Sequence, residues 1–346
     1  MKKLISIWIL CLLFIGANTI VRINDQLAQA ASSSQEFKKS LNKDQPSQNT
    51  PSGDEVDITD ISKQLKNPMA DLWMFNFQND YSAYVSEIPD TQTRYFNTMV
   101  FQPVISVPLG DEWTIVNRPV FSWVNGELPT RNTIDSLGLL TAGGGSFPGG
   151  APFTGPSSIT SLLDADMDSS LGDFVFLSMI GPVDIDKFIW GAGVTTMWPT
   201  ATDDRFGTEK YSVGPALTGA YLGDRWTVGA LAQQWHSYAG DDNRGNVNKM
   251  NLQYFVYYNL PDQWTVGMAP NIIADWDQDE DNRWTVPVGL GVSKTLFLGK
   301  LPVKVGVEYQ HSVIKPDFIG NEWNIRLSFT PVIPNLIKMK QGKYSF

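Results

Sequence analysis

Cysteine is almost missing from this chain of 346 residues: Cys11 stands alone, and histidine occurs twice, as His236 and His311. A disulfide framework is excluded, so the fold must be held by other means. Charge is also scarce, at 18% of residues against the usual quarter in a soluble protein. Basic residues are outnumbered, 26 to 36. Such a balance leaves no cationic surface to neutralise phosphates, which excludes nucleic acid as a partner. After Met69 no apolar run is long enough for a membrane helix, and the mean hydropathy is slightly negative. What is abundant instead is aromatic and turn-forming: 12 Trp, 11 Tyr, 18 Phe, 29 Gly and 21 Pro. That composition argues against a helical bundle and against disorder, and suits one large all-β domain.

Residues 1–30 have the features of an export signal. Lys2 and Lys3 precede the apolar run Leu4–Val21, and Ala28-Gln29-Ala30 supplies a small-x-small cleavage pattern. Cys11 lies inside this run, preceded by Leu10 rather than a small residue, so a lipoprotein anchor is not expected. Residues 31–68 form a polar linker ending in a short amphipathic helix over Asp57–Lys66, where Ile58, Ile61 and Leu65 share a face before Pro68.

Residues 69–333 carry twelve segments with a hydrophobic period of two, bounded by turn residues: Leu72–Val85, Tyr95–Leu109, Trp113–Val124, Phe174–Ile180, Phe188–Trp198, Tyr211–Leu222, Trp226–Tyr238, Asn248–Leu260, Trp264–Trp276, Trp284–Leu298, Val303–Val313 and Trp323–Val332. In the last of these Trp323, Ile325, Leu327 and Phe329 oppose Asn324, Arg326, Ser328 and Thr330. A period of two between an apolar and a polar face is a strand separating two environments. The links alternate in length: turns such as Leu109–Trp113 and Leu222–Trp226 are short, whereas Asn125–Asp173, Pro199–Lys210 and Asp277–Arg283 are longer and polar. Short–long alternation over an even number of strands predicts an up-and-down transmembrane antiparallel β-barrel of the outer-membrane type.

Tryptophan repeats at strand ends support the same reading. Asp111-Glu-Trp-Thr, Asp224-Arg-Trp-Thr and Asp262-Gln-Trp-Thr each open a strand after a short turn. Trp113, Trp123, Trp226, Trp264, Trp276, Trp284 and Trp323 are therefore expected in aromatic girdles at the two bilayer interfaces, rather than in a sandwich core. The C-terminal residues 334–346 form a tail, and either Phe329 or Phe346 could serve as the terminal aromatic of barrel assembly.

The stretch Ile61-Ser-Lys-Gln-Leu-Lys-Asn-Pro-Met-Ala-Asp-Leu-Trp73, with Phe77-Gln-Asn-Asp80, Phe101-Gln-Pro-Val-Ile-Ser106, Gln234-Trp-His-Ser237, Ala239-Gly-Asp241 and Ala274-Asp-Trp276, resembles a family of bacterial outer-membrane barrels. That family carries a transporter label, sometimes "neuromedin U", and is related to the meta-pathway phenol-degradation barrels. The resemblance spans about residues 61–333. It implies a barrel in the outer membrane and transport of small, often hydrophobic compounds. It assigns no substrate and no catalytic residue.

Most candidate chemistry fails on geometry. Asp275-Trp-Asp-Gln-Asp-Glu-Asp281 looks like a calcium loop, but Glu280 stands where glycine is needed and Val286 where a bidentate glutamate is needed. A solvated acidic loop is the expectation, with no resident metal or cofactor. His236-Ser237 and His311-Ser312 point to opposite faces of a strand and cannot form a nucleophile–base pair, so no enzyme is expected. By alternation, Gln102, Arg118, Asn251, Gln253, Asp275, Lys304, Glu308 and Arg326 face the lumen. They form either a wet solute path or an internal ion-pair network, because charge inside a barrel must be paired or hydrated. The helix at Asp57–Lys66 and the glycine-rich stretch Gly143–Gly150 are candidate constrictors. The expected protein is a monomeric outer-membrane channel, in contact with lipid and with the barrel-assembly machinery, for small molecules of unknown identity. The alternative is a closed barrel with a structural or surface-interaction role.

Overall fold

The computed structural model describes residues 72–87, 92–129, 145–146, 152–153, 165–183, 187–299, 301–317 and 319–334. The export segment, the linker, the Asp57–Lys66 helix, most of Gly143–Gly150 and the tail beyond residue 334 lie outside the described residues.

Twelve antiparallel strands close into one barrel. They are β1 (Leu72–Val85), β2 (Arg94–Leu109), β3 (Trp113–Pro129), β4 (Ala165–Leu171 continued by Phe174–Pro182), β5 (Phe188–Trp198) and β6 (Lys210–Leu222). The second half comprises β7 (Trp226–Gly240), β8 (Asn248–Asn259), β9 (Trp264–Met268 continued by Asn271–Asp275), β10 (Trp284–Leu298), β11 (Leu301–Ile314) and β12 (Gly320–Pro334). Each strand pairs with its neighbours in sequence, and β12 returns to β1 along their whole length, from Leu72 opposite Pro334 to Val85 opposite Gly320. Closure gives the described strands a partner on both sides, apart from Ala165–Leu171, which pairs with β3 alone, and the interruption at Ala269–Pro270.

Two walls depart from the sequence expectation. Ala165–Leu171, expected to lie within a loop, pairs with β3 from Trp123 opposite Leu171 to Pro129 opposite Ala165. Its composition, Ala-Asp-Met-Asp-Ser-Ser-Leu, lacks apolar alternation because a strand that projects beyond an apolar belt needs only its ladder bonds. The wall then breaks at Gly172–Asp173. The ninth strand is also interrupted, at Ala269–Pro270. Pro270 has no N–H to donate to a ladder. Pairing of β9 with β10 runs from Trp264 opposite Lys294 to Gly267 opposite Gly291, and resumes only at Ile273 opposite Thr285.

The two surfaces of the wall differ as the alternation requires. On β12, Ile325, Leu327 and Phe329 are exposed on the outside while Asn324 and Arg326 are buried inside. On β1, Phe77 and Tyr81 are outside, and Gln78, Asp80 and Ser82 inside. Large apolar side chains also stand exposed on the outer face of β10 (Val288, Leu290, Val292) and β11 (Val307, Tyr309). A contiguous belt of this kind is far larger than soluble proteins expose and matches the lipid-facing band of a membrane barrel.

The inside is divided into two arcs. From β3 to β7 it is largely apolar: Val116, Leu177, Met179, Ala216 and Leu231 form one cluster, and Val120, Val175, Met197 and Trp235 join Val100 and Val247 in another. The opposite arc, from β8 through β12 to β2, carries most of the buried amide and charged groups.

An arginine placed on the belt tests the inside–outside assignment. Leu290→Arg, on the exposed face of β10, should cost about 2–4 kcal/mol if its depth is near the bilayer midplane. It should reduce the folded, heat-modifiable species on gels, whereas Ser293→Ala on the inner face should leave that species intact. Equal loss in both would overturn the register.

Candidate functional site in the barrel interior

The polar arc is organised around Arg326. Its cross-strand neighbours are Asp80 on β1 and Glu308 on β11, so one cation sits between two carboxylate-bearing strands at the seam of the barrel. Arg326 Nε donates to Asp80 Oδ1 at 2.8 Å, and Nη1 donates to the Ala269 carbonyl at 3.1 Å. Asp80 is fully buried and also accepts from Gln78 Nε2 at 2.7 Å and Asn324 Nδ2 at 3.2 Å. Glu308 Oε1 accepts from Gln310 Nε2 at 2.7 Å and from the Ala269 backbone N–H at 3.0 Å. The break in β9 thus has a partner for each of its turned-in backbone groups: Glu308 takes the N–H of Ala269 and Arg326 its carbonyl. Glycine makes room for this. A Cβ on Gly289 would stand 3.1 Å from Gln310 Cγ and 3.2 Å from Glu308 Oε1.

Beside this network lies a cavity of about 220 Å³, lined by Asn76, Gln78, Gln102, Arg118, Gln253, Lys304, Glu308, Arg326, Ser328 and Thr330 on the polar side. Met74, Val104, Phe255, Tyr257 and Ala269 supply its apolar side. A smaller space of about 50 Å³ adjoins it past Thr265, Gly267, Gly291 and Gly306. Two of the lining cations differ from Arg326 in forming no ion pair among the described residues, although Glu308 acts on Lys304 from farther away. Lys304 holds its ammonium 5.0 Å from the centre of the Tyr257 ring. Arg118 keeps a buried Nε that donates to nothing among the described residues.

Of the eight lumen candidates, Gln102, Arg118, Gln253, Lys304, Glu308 and Arg326 meet at this one cavity. Asn251 and Asp275 do not. Both are buried nearer the long-loop end, where Asp275 Oδ2 lies 3.2 Å from Lys249 Nζ. Alternation alone placed Asp80 on the inner face beside Gln78 and Ser82, yet the sequence reading passed over it. The signal was present in Phe77 and Tyr81 flanking it on the apolar face.

Above the cavity the interior narrows. Trp235, only 2% exposed, packs inward with Val100, Val120, Val175, Met197 and Val247. At the long-loop end Phe206, 1% exposed, enters the barrel and packs on Tyr84, Phe96 and Val124. Phe206 comes from the β5–β6 loop, so its loop crosses the mouth to reach β1–β3. Two anchors hold it. Asp173, at the break in β4, accepts from Thr208 Oγ1 at 2.6 Å, from Thr208 N at 2.7 Å and from Ala201 N at 3.2 Å. Arg205 is gripped by Asp203, with Nη2 to Oδ2 at 2.6 Å, and by Asp168 on the projecting part of β4. Those bonds from Arg205 hold the Asp203 carboxyl below its ordinary value of 3.8. From the next loop Arg244 donates to the carbonyls of Asp204, at 2.9 Å, and Gly207. No periodicity marks Phe206 or Arg205, and neither was singled out in the sequence.

The outward tryptophans stand near strand ends in two sets. Trp113, Trp226 and Trp264 are exposed at the short-turn end, where Trp113 meets Trp190 and Trp226 meets Tyr258 edge-on, with ring centres 6.1 and 4.9 Å apart. Trp123 and Trp276 are exposed at the long-loop end, while Trp284 and Trp323 are half-buried by aromatic neighbours. Trp276 packs edge-on against Trp284 at 5.4 Å, and Tyr81 lies 5.8 Å from Trp323. The acidic run is committed locally: Asp275 pairs with Lys249, and Asp279 caps the helical turn Glu280–Arg283 by accepting from Asn282 N at 3.0 Å. No group of three metal-ligating side chains occurs among the described residues. His236 is exposed, whereas Ser237 Oγ accepts from Val247 N at 3.0 Å.

The fold is shared with solved structures. The COG4313 outer membrane channel from Pseudomonas putida F1 is similar with a TM-score of 0.51 at 13% identity, over 76% of this chain and 94% of that one. The Pseudomonas putida toluene transporter TodX is similar over 81% of this chain and 92% of that one, at 9% identity and a TM-score of 0.38. The transport unit of the autotransporter AIDA-I from Escherichia coli is similar over 80% and 90%, at 9% identity and 0.39. No family profile and no curated protein matches the sequence. The chain has the fold of a bacterial outer-membrane β-barrel.

The two kinds of cation should respond differently to neutralisation. Arg326→Gln strands the buried Asp80 carboxylate and should cost about 3–5 kcal/mol in a urea titration followed by tryptophan fluorescence. Lys304→Gln removes no ion pair and should shift that titration by under about 1 kcal/mol. Similar losses in the two variants would contradict the pairing described.

Proposed function

We propose that the chain is a monomeric outer-membrane channel or facilitator for small molecules, held in lipid by its apolar belt and aromatic strand ends. The observation that carries this reading is the polar, charge-lined cavity inside a closed barrel whose outer face is apolar. A barrel that served only as a wall would gain from filling that space with packed side chains, since unfilled interior volume costs stability. The likeness to the Pseudomonas putida channel supports the architecture. The resemblance of the Ile61–Trp73 and Gln234–Ser237 stretches to transporter barrels suggests small, often hydrophobic solutes. The exposed tryptophans then mark the two bilayer interfaces, and the export signal delivers the chain to the envelope.

In this reading the resting pore is narrow. Phe206 and the layer around Trp235 stand between the long-loop end and the cavity, and solute passes when they move. Apolar constrictions of this kind gate by excluding water. The β5–β6 loop is the moving part, because it is tethered by side-chain bonds rather than by a ladder.

Liposome swelling with uncharged solutes tests the reading. Wild type should admit solutes slowly, and Phe206→Gly or Trp235→Ala should speed entry severalfold. A wild type and both variants that admit nothing, though folded, would overturn the channel and leave the closed structural barrel. Acid supplies a second lever. The folded Asp203 carboxyl is held below 3.8, so the Arg205 tether contributes fully above that pH and weakens only as pH falls through the lower folded value. The part of the barrier that depends on Arg205, read as the difference between wild type and Arg205→Ala at each pH, should be constant from about pH 8 to 5 and shrink below about pH 4. A difference that already shrinks near neutral pH would contradict this tether.

A further inference from the structure

The cavity holds more positive charge than its surroundings neutralise. Among the described residues Arg118, Lys304 and Arg326 face it, against Glu308 and the adjoining Asp80, an excess of one positive charge. Asp80 is committed to Arg326, and Glu308 Oε1 is committed to Ala269 and Gln310. Arg118 is left with no carboxylate, Lys304 has Glu308 only beyond ion-pair distance, and among the described residues the buried Nε of Arg118 has no hydrogen bond. A guanidinium withdrawn from water and unpaired is costly, and it offers a planar fork of donors that fits a carboxylate. The same cavity has an apolar side in Met74, Val104 and Phe255. A dry cavity of about 150 Å³ accommodates a benzene ring, so 220 Å³ takes one compact apolar body with one ionised head.

We propose that the cavity is a binding site for a small amphipathic monocarboxylate. Arg118 and Lys304 engage the carboxylate, and the apolar body lies on Met74, Val104 and Phe255. One negative charge balances the excess of one positive, and the division of the lining into polar and apolar sides sets the orientation. The inference rests on the channel reading for its role, since it names the solute class that the pore would pass, but the site itself can be measured without flux.

The test is a calorimetric titration of the full chain, folded in detergent, with benzoate, its neutral analogue benzamide, and acetate. Benzoate should bind at least about tenfold more tightly than benzamide, which lacks the charge, and than acetate, which lacks the body. In Arg118→Gln/Lys304→Gln the preference for benzoate over benzamide should fall to within about twofold, while Arg118→Lys/Lys304→Arg should keep most of it. Gel mobility verifies that each variant is folded. Equal binding of benzoate and benzamide, no binding of benzoate by folded wild type, or a preference that survives the double glutamine variant would each overturn the proposal. A benzoate preference equalled by acetate would also overturn it, marking a simple anion site. Swelling measured on the same preparations separates the two readings. Flux without a benzoate preference removes this site and keeps the channel; a preference in a barrel that passes nothing keeps the site and removes the channel.

Discussion

Backbone hydrogen bonding is the constraint on which everything else in this barrel depends. In lipid an unpaired N–H or C=O has no water to turn to, so the sheet must close, and it closes where β12 meets β1. That seam is also where Arg326, Asp80 and Glu308 lie on three adjacent strands. The ion pair is buried, and a buried ion pair is weak evidence for stability by itself. Its clearer effect is on register. A slip of one residue between β12 and β1 would turn Arg326 toward lipid and leave Asp80 buried without its partner.

The same arginine and glutamate explain why the wall tolerates its interruption at Ala269–Pro270. Proline removes a donor from the ladder, and the chain there turns a backbone N–H and carbonyl inward. Glu308 and Arg326 occupy those two groups at 3.0 and 3.1 Å. Side chains thereby replace ladder bonds, and the wall keeps its seal where the strand itself is discontinuous. The arrangement links the lumen electrostatics to the integrity of the sheet, so the charges of this arc are not free to vary independently.

The interior is amphipathic, and its two arcs have different jobs. The apolar arc packs side chains from β3 to β7 into clusters, and the path narrows at Trp235 and Phe206. The polar arc leaves space, because glycines on β10 and β11 carry no side chain into it. Twelve strands give a circumference between the filled eight-strand barrel and the open sixteen-strand porin. With that circumference, side-chain volume rather than strand number determines whether the lumen is solid or hollow, and here it is solid on one side and hollow on the other.

The strands were legible in the sequence because their alternation is a local property: Ile325, Leu327 and Phe329 can face only one environment if Asn324 and Arg326 face the other. Leu72–Val85, Phe188–Trp198 and Trp284–Leu298 have the same limits in the sequence and in the fold. Alternation also put Gln102, Arg118, Lys304, Glu308 and Arg326 on inner faces, since parity along a strand carries over once register is set. The sequence could not say which inner residues meet. Arg326 is separated from Asp80 by 246 positions and from Ala269 by 57, and only closure and the relative stagger of the strands bring them together. Phe206 was equally invisible, for a loop residue has no period and its burial depends on where the loop folds. The chain by itself determined the wall, with its strands, its faces and its alternating links, because each follows from neighbours two residues apart. The tertiary structure alone decided which charges are paired, which are left open to the cavity and where the lumen narrows, because those depend on side chains that approach one another across the barrel from strands far apart in the chain.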